Sequence, residues 1–115
     1  MKDIETKEDI SLLVNEFYSK VLEDELLAPF FVGLDFEKHM PKMIHFWSFA
    51  LLNEPGYTTN VVEKHLHMPL KEEHFQKWIS LFNETVDSNF SGEVAIQAKQ
   101  RALLIGWTIK SKIPQ

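Results

Sequence analysis

The spacing of apolar side chains narrows the fold more than any other feature, because they recur every three or four residues over long stretches and do not alternate. Ile10, Leu13, Val14, Phe17, Tyr18, Val21 and Leu22 share one face at helical spacing, with polar residues between, the period of an α-helix and not of a strand. Just ahead, Thr6-Lys7-Glu8-Asp9 has the Ser/Thr-x-x-acid form that opens a helix, so the pattern predicts a helix from about Lys7 to Leu22. Asp24 opens a short segment in which Leu26, Leu27, Phe30 and Phe31 make another apolar face. Pro29 restricts that segment to a short or broken helix, and Gly33 ends it. From about Phe36 to Leu52, the residues Phe36, His39, Met43, Phe46, Trp47 and Ala50 fall on one stripe while Lys38, Lys42 and His45 point elsewhere. Pro41 fits best in a first turn, which places the regular helix from near His39.

Asn53-Glu54-Pro55-Gly56 reads as a loop. Thr59 or Asn60 caps a brief helix through Val61, Val62, His65 and Leu66, which Pro69 stops. Lys71 to Phe90 is a strong helix with Phe75, Trp78, Ile79, Phe82, Val86 and Phe90 on one face. Ser91-Gly92 separates it from a last helix near Val94 to Lys110. No stretch has a strand pattern, and no internal repeat or low-complexity tract interrupts the pattern, so the expected class is all-α. With 115 residues, 44% of them hydrophobic, the expected organisation is one domain over residues 1–115.

Residue chemistry excludes several functions. Cysteine is absent, which removes disulfides, thiolate zinc sites and Cys nucleophiles and leaves metals to His, Asp or Glu. None of the five histidines has a Glu three residues before it or a His four away, so helical di-iron and zincin patterns are missing. No Gly-x-Ser-x-Gly elbow or glycine-rich phosphate loop occurs among only four glycines. A net charge of −5 disfavours nucleic acid, although Lys99, Arg101, Lys110 and Lys112 leave the C-terminal end locally basic. The opening residues carry acids where a signal peptide is apolar, and no run approaches a membrane span, which reads as a cytoplasmic protein without membrane contact.

What stands out is aromatic bulk: nine Phe, three Trp and four Met, with five His. A large flat apolar cofactor suits that pattern, since haem asks for one axial nitrogen and otherwise for apolar walls with a few polar groups near the open coordination position. Composition equally permits a cofactor-free helical interaction module in which the aromatic stripes are core and the histidines incidental. Taken singly, Tyr18 and Trp78 read as core residues, His65 as a helix histidine with His67 as its rival for any ligand role, and His45 and His74 as solvent-facing or structural.

The order of Phe17-Tyr18, His39 followed by Phe46-Trp47, Glu63-Lys64-His65-Leu66 with Pro69, and His74-Phe75 followed by Trp78 and Leu81-Phe82 resembles the truncated haemoglobins of the third group over nearly the whole chain. The sequence departs at Tyr57-Thr58-Thr59-Asn60, where many members carry a glycine and a proline after the tyrosine. The resemblance implies a shortened globin with helices in a two-over-two sandwich around haem b, His65 being the proximal iron ligand. It implies that Tyr18 and Trp78 supply donors to a bound diatomic and that His39 stands near the pocket entrance. Phe31, Met43, Phe46 and Trp47 would then line the distal wall, and Phe75 the proximal side. It further implies oxygen, nitric oxide or carbon monoxide as ligands, peroxide or nitric-oxide chemistry as an accessible activity, and an electron-donating reductase as partner.

Overall fold

The computed structural model describes residues 1–55 and 70–112. The brief helix expected over Val61 to Leu66, with His65, His67 and Pro69, lies outside the described residues, as does the loop Tyr57 to Asn60. Among the described residues there are four α-helices and a single 3-10 turn, and no strand. In chain order the elements are α1 (Lys7–Glu23), a 3-10 turn (Ala28–Phe31), α2 (Phe36–Leu52), α3 (Glu72–Asn89) and α4 (Glu93–Lys112).

Helix α1 starts where the capping pattern places it. The Thr6 hydroxyl accepts from the Asp9 amide at 3.2 Å, while the Asp9 carboxylate accepts from the amides of Thr6 and Glu5 at 3.1 and 2.9 Å and from the Lys2 ammonium at 2.7 Å. The helix ends at Asp24, whose carboxylate accepts from the amides of Leu26 and Leu27 at 2.9 and 3.1 Å and so turns the chain into the 3-10 segment. Pro29 stands in the first turn of that segment, where its missing N–H has no intrahelical partner to forfeit.

The start of α2 differs from the sequence expectation. The helix begins at Phe36, not near His39, because Asp35 caps it: its carboxylate accepts from Glu37 N at 3.1 Å, and its carbonyl accepts from Lys38 N and His39 N at 3.2 and 3.0 Å. Pro41 therefore sits inside the helix. Glu37 and Pro41 are both exposed, so the Glu37 carbonyl that loses its donor is left to water and not to the core. Asn53, at φ 61°, adopts the left-handed conformation that asparagine tolerates, and stops α2.

Helix α1 packs against α2 and α3, α3 against α4, and α2 touches α4. The core draws Ile10, Leu13, Val14, Phe17 and Val21 from α1, Trp47 and Leu51 from α2, and Phe82, Val86 and Phe90 from α3 and its end. The buried line of α4 is made of small residues, Ala95, Ala98, Ala102 and Gly106, ending at Ile109. A β-carbon built on Gly106 would stand 3.3 Å from the Ile79 side chain, so the small residues let α3 and α4 approach closely. Phe75 and Ile109 form a second, smaller cluster that takes in Leu70 and Ile105.

The first residues tie this arrangement together. The Asp3 carboxylate accepts from Val94 N at 3.0 Å and Ala95 N at 2.8 Å, capping α4 from outside, and Ser91 N donates to the Lys2 carbonyl at 2.9 Å. Gly92 makes room for it: at φ +137° only glycine is unstrained, and a β-carbon there would fall 2.5 Å from Asp3. Burial raises the Asp3 carboxyl, but the amides of Val94, Ala95 and Ile4 outweigh it and hold the group below its ordinary value.

Candidate functional site

The aromatic residues of three helices and the 3-10 turn meet in one connected cluster. Phe17 is its hub, buried on α1, with its ring edge-on to Trp78 at 5.6 Å and to Phe82 at 5.2 Å. Trp78, Phe82 and Trp47 form a near-parallel stack, with centroids 5.9 and 4.9 Å apart and interplanar angles of 17° and 23°. Phe46 meets Trp47 edge-on at 5.2 Å. Phe17 also meets Tyr18 edge-on at 4.9 Å, and the Tyr18 ring contacts Phe31 at 5.8 Å and Phe36 at 6.1 Å. Such edge and offset contacts add about 0.5–1.5 kcal/mol each beyond apolar burial, which fixes the ring positions.

Of the residues expected to form the site, Tyr18, Phe31, His39, Met43, Phe46 and Trp78 are half-buried, while Trp47 and Phe75 are buried at 5% and 7% exposure. Tyr18 and Trp78, sixty residues apart in sequence, are brought together through Phe17. His39 and Met43 lie one turn apart on α2, and Met43 and Phe46 pack on the core from that helix. Phe75 belongs to the second cluster with Ile109, apart from these residues. His65 is outside the described residues.

Burial pushes the Tyr18 phenol well above its ordinary range, so its O–H keeps the proton. Within the described residues neither the Tyr18 hydroxyl nor the Trp78 indole N–H has a hydrogen-bond acceptor. Two half-buried donors are thereby free of protein acceptors among the described residues and open to an external one.

His45 and His74 have structural partners. His45 Nε2 lies 3.2 Å from the Pro55 carbonyl. His74 Nδ1 accepts from the Lys71 amide at 2.8 Å, and its ring meets the edge of Phe30 at 4.8 Å. The basic C-terminal end is partly neutralised, Lys99 pairing with Asp87 at 2.7 Å and Lys110 with Glu72. Sequence reasoning placed Phe17 and Phe82 in the core and Phe36 on the α2 stripe without seeing that they hold the site residues in position. The adjacency of Phe17 to Tyr18 was the available signal.

A haem fits these residues. A flat apolar group needs bulky half-covered side chains, which Phe31, Met43, Phe46 and Trp78 supply where they pack on the core, and the Tyr18 hydroxyl is a polar group of the kind that such a site calls for. Its iron needs only one protein nitrogen. Among the described residues no group of three or more His, Asp or Glu gathers to hold a metal ion directly.

Helix order, packing and aromatic wall together define a globin, and the chain belongs to the bacterial-like globin family, whose sequence profile it matches over residues 2–104. It is 33% identical over 106 residues to the group 3 truncated haemoglobin ctb of Campylobacter jejuni, covering 86% of this chain and 84% of that one. The crystal structure of the group III truncated haemoglobin from Campylobacter jejuni aligns over 100% of this chain and 97% of its own, with a TM-score of 0.89 and 30% identity. The Chlamydomonas reinhardtii protein THB1, at 19% identity and a TM-score of 0.69 over 97% of this chain and 93% of its own, shares the fold. The truncated-globin architecture and the third-group resemblance expected from sequence therefore both hold. Membership of the family implies a haem cofactor and diatomic gas ligands. No helix among the described residues is long and apolar enough to cross a membrane.

Proposed function

We propose that this chain is a cytoplasmic haem b protein of one domain that binds oxygen, nitric oxide or carbon monoxide reversibly at iron held by His65. The observation that carries the reading is the pair of uncommitted donors, the Tyr18 O–H and the Trp78 N–H, joined through Phe17 in a half-buried aromatic wall. When bound, haem supplies an iron centre with one coordination position free for a diatomic ligand. Phe31, Met43, Phe46 and Trp47 exclude water from the distal side, Phe75 does so on the proximal side, and His39 stands at the entrance. Tyr18 keeps its proton and donates a hydrogen bond to a ligand that carries partial negative charge, with Trp78 as second donor. Such donors suit nitric-oxide or peroxide chemistry fed by a reductase as well as reversible binding.

The absorption spectrum of the purified protein tests the cofactor: a strong band near the violet edge of the visible is expected, and its absence after haem reconstitution favours a cofactor-free helical module instead. The donors are tested by oxygen release. Tyr18→Phe and Trp78→Phe are each expected to speed it about ten- to a hundredfold, the equivalent of a charge-assisted bond of roughly 1.5 to 3 kcal/mol, with a smaller effect on carbon monoxide. The ligand is tested by His65→Ala, which is expected to lose haem where His67→Ala keeps it.

A further inference from the structure

We infer that His74 is a positioning residue, a proton-sensitive latch that fixes the point at which the chain enters α3 after the segment carrying His65. Its effect on iron rests on the proposed role of His65, whereas the latch itself stands on described residues alone.

Three contacts converge at this junction. Leu70 packs against the Phe75 and Ile109 cluster. Lys71, extended at the N-cap of α3, directs its amide N–H into His74 Nδ1 at 2.8 Å. The His74 ring is edge-on to Phe30 at 4.8 Å, which fastens the start of α3 to the 3-10 turn that also carries Phe31 of the distal wall. One imidazole therefore links the entry of α3 to the turn beyond α1.

The acceptor is what makes the link proton-sensitive. A ring nitrogen accepts only while it has a lone pair, and an imidazolium presents donors at both nitrogens. Protonation would thus turn the bond from the Lys71 amide into two opposed N–H groups and place a cation at a helix N-terminus, where the helix dipole opposes it. The charged groups around the ring do not substitute for the bond. On α3 they are Lys71, Glu72, Glu73 and Lys77; Glu72 is engaged by Lys110 of α4 and by Gln76. Lys77 is paired with Asp24, ahead of the 3-10 turn, at 3.4 Å. A neutral imidazole therefore closes the latch and an imidazolium opens it.

The test uses the haem-loaded protein with His74→Ala and His74→Asp at pH 8 and pH 5. The carboxylate of His74→Asp can accept from the Lys71 amide at both values. Amide hydrogen exchange over Leu70 to Phe75, corrected for intrinsic rates, is expected to show about fivefold less protection in His74→Ala at pH 8. Wild type is expected to fall to the level of His74→Ala at pH 5, and His74→Asp to stay protected at both. The iron–histidine stretching band of the ferrous protein should move with pH in wild type, rest at its low-pH position in His74→Ala, and stay still in His74→Asp. Equal protection in wild type and His74→Ala at pH 8, or a His74→Asp profile that titrates like wild type, overturns the latch. An exchange profile that follows His74 while His65→Ala still retains haem upholds the latch and overturns the ligand assignment.

Discussion

The starts of α1 and α3 follow one plan with different acceptors. At α1 the third helical residue is Asp9, whose carboxylate gathers two amides and an ammonium while the Thr6 hydroxyl caps in return. At α3 the third residue is His74, whose single lone pair takes one amide, and the N-cap residue is Lys71, whose ammonium has nothing with which to accept. The reciprocal box is complete at one end and half made at the other. Partial burial raises the Asp9 carboxyl, but the Lys2 ammonium and the Glu5 and Thr6 amides together hold it below the ordinary carboxylate value. A lowered carboxylate gives stability that is fully present above its unfolded value and is lost as pH falls through the folded one. The α1 start therefore survives mild acid, whereas the α3 start depends on a neutral imidazole.

Asp9→Ala should have the largest effect. It strips the acceptor from the Glu5 and Thr6 amides and from Lys2, and is expected to cost about 2 kcal/mol in urea denaturation at pH 7. A loss no greater than that of His74→Ala would erase the distinction between the two helix starts. His74→Ala comes next, at roughly 1 kcal/mol at pH 8 and close to nothing at pH 5, by the same measurement. Lowering the pH is expected to separate the two sites in wild type. Exchange protection at the α3 start should be lost once the imidazole takes a proton, while the α1 start, held by a lowered carboxylate, should outlast it as the pH falls. Simultaneous loss at both would show that one cooperative transition, and not the local acceptor, governs them. Lys71→Ser should have the smallest effect, a gain of about 0.5 kcal/mol, because a hydroxyl at the N-cap can accept from the His74 amide and complete the box.

The same comparison shows why some of the molecule was legible in advance. Thr6-x-x-Asp9 is a capping pattern in residue types whose side chains accept, so α1 could be placed from sequence, whereas Lys71-x-x-His74 contains no conventional cap and its bond depends on a tautomer. Pro41 misplaced the start of α2 because its cost is small on an exposed face, and Asp35 was free to cap earlier. In α4 the buried line consists of alanines and Gly106, while Ile96, Leu103, Leu104 and Trp107 are exposed. Hydropathy alone would turn that helix the wrong way, since close approach to α3 selects for small volume and not for apolar bulk. The candidate site was legible mainly as a resemblance. Periodicity puts Tyr18 and Trp78 on core-facing stripes, but only the packing shows that both rings meet Phe17.

The Asp3 carboxylate that caps α4 bonds to amides 91 and 92 residues further along the chain. During synthesis the acceptor is made long before its donors, and it must wait, solvated, until the start of α4 has left the ribosome. The residues ahead of α1 thus take up their native place only once the start of α4 has emerged, however much of α1 and α2 is already helical by then.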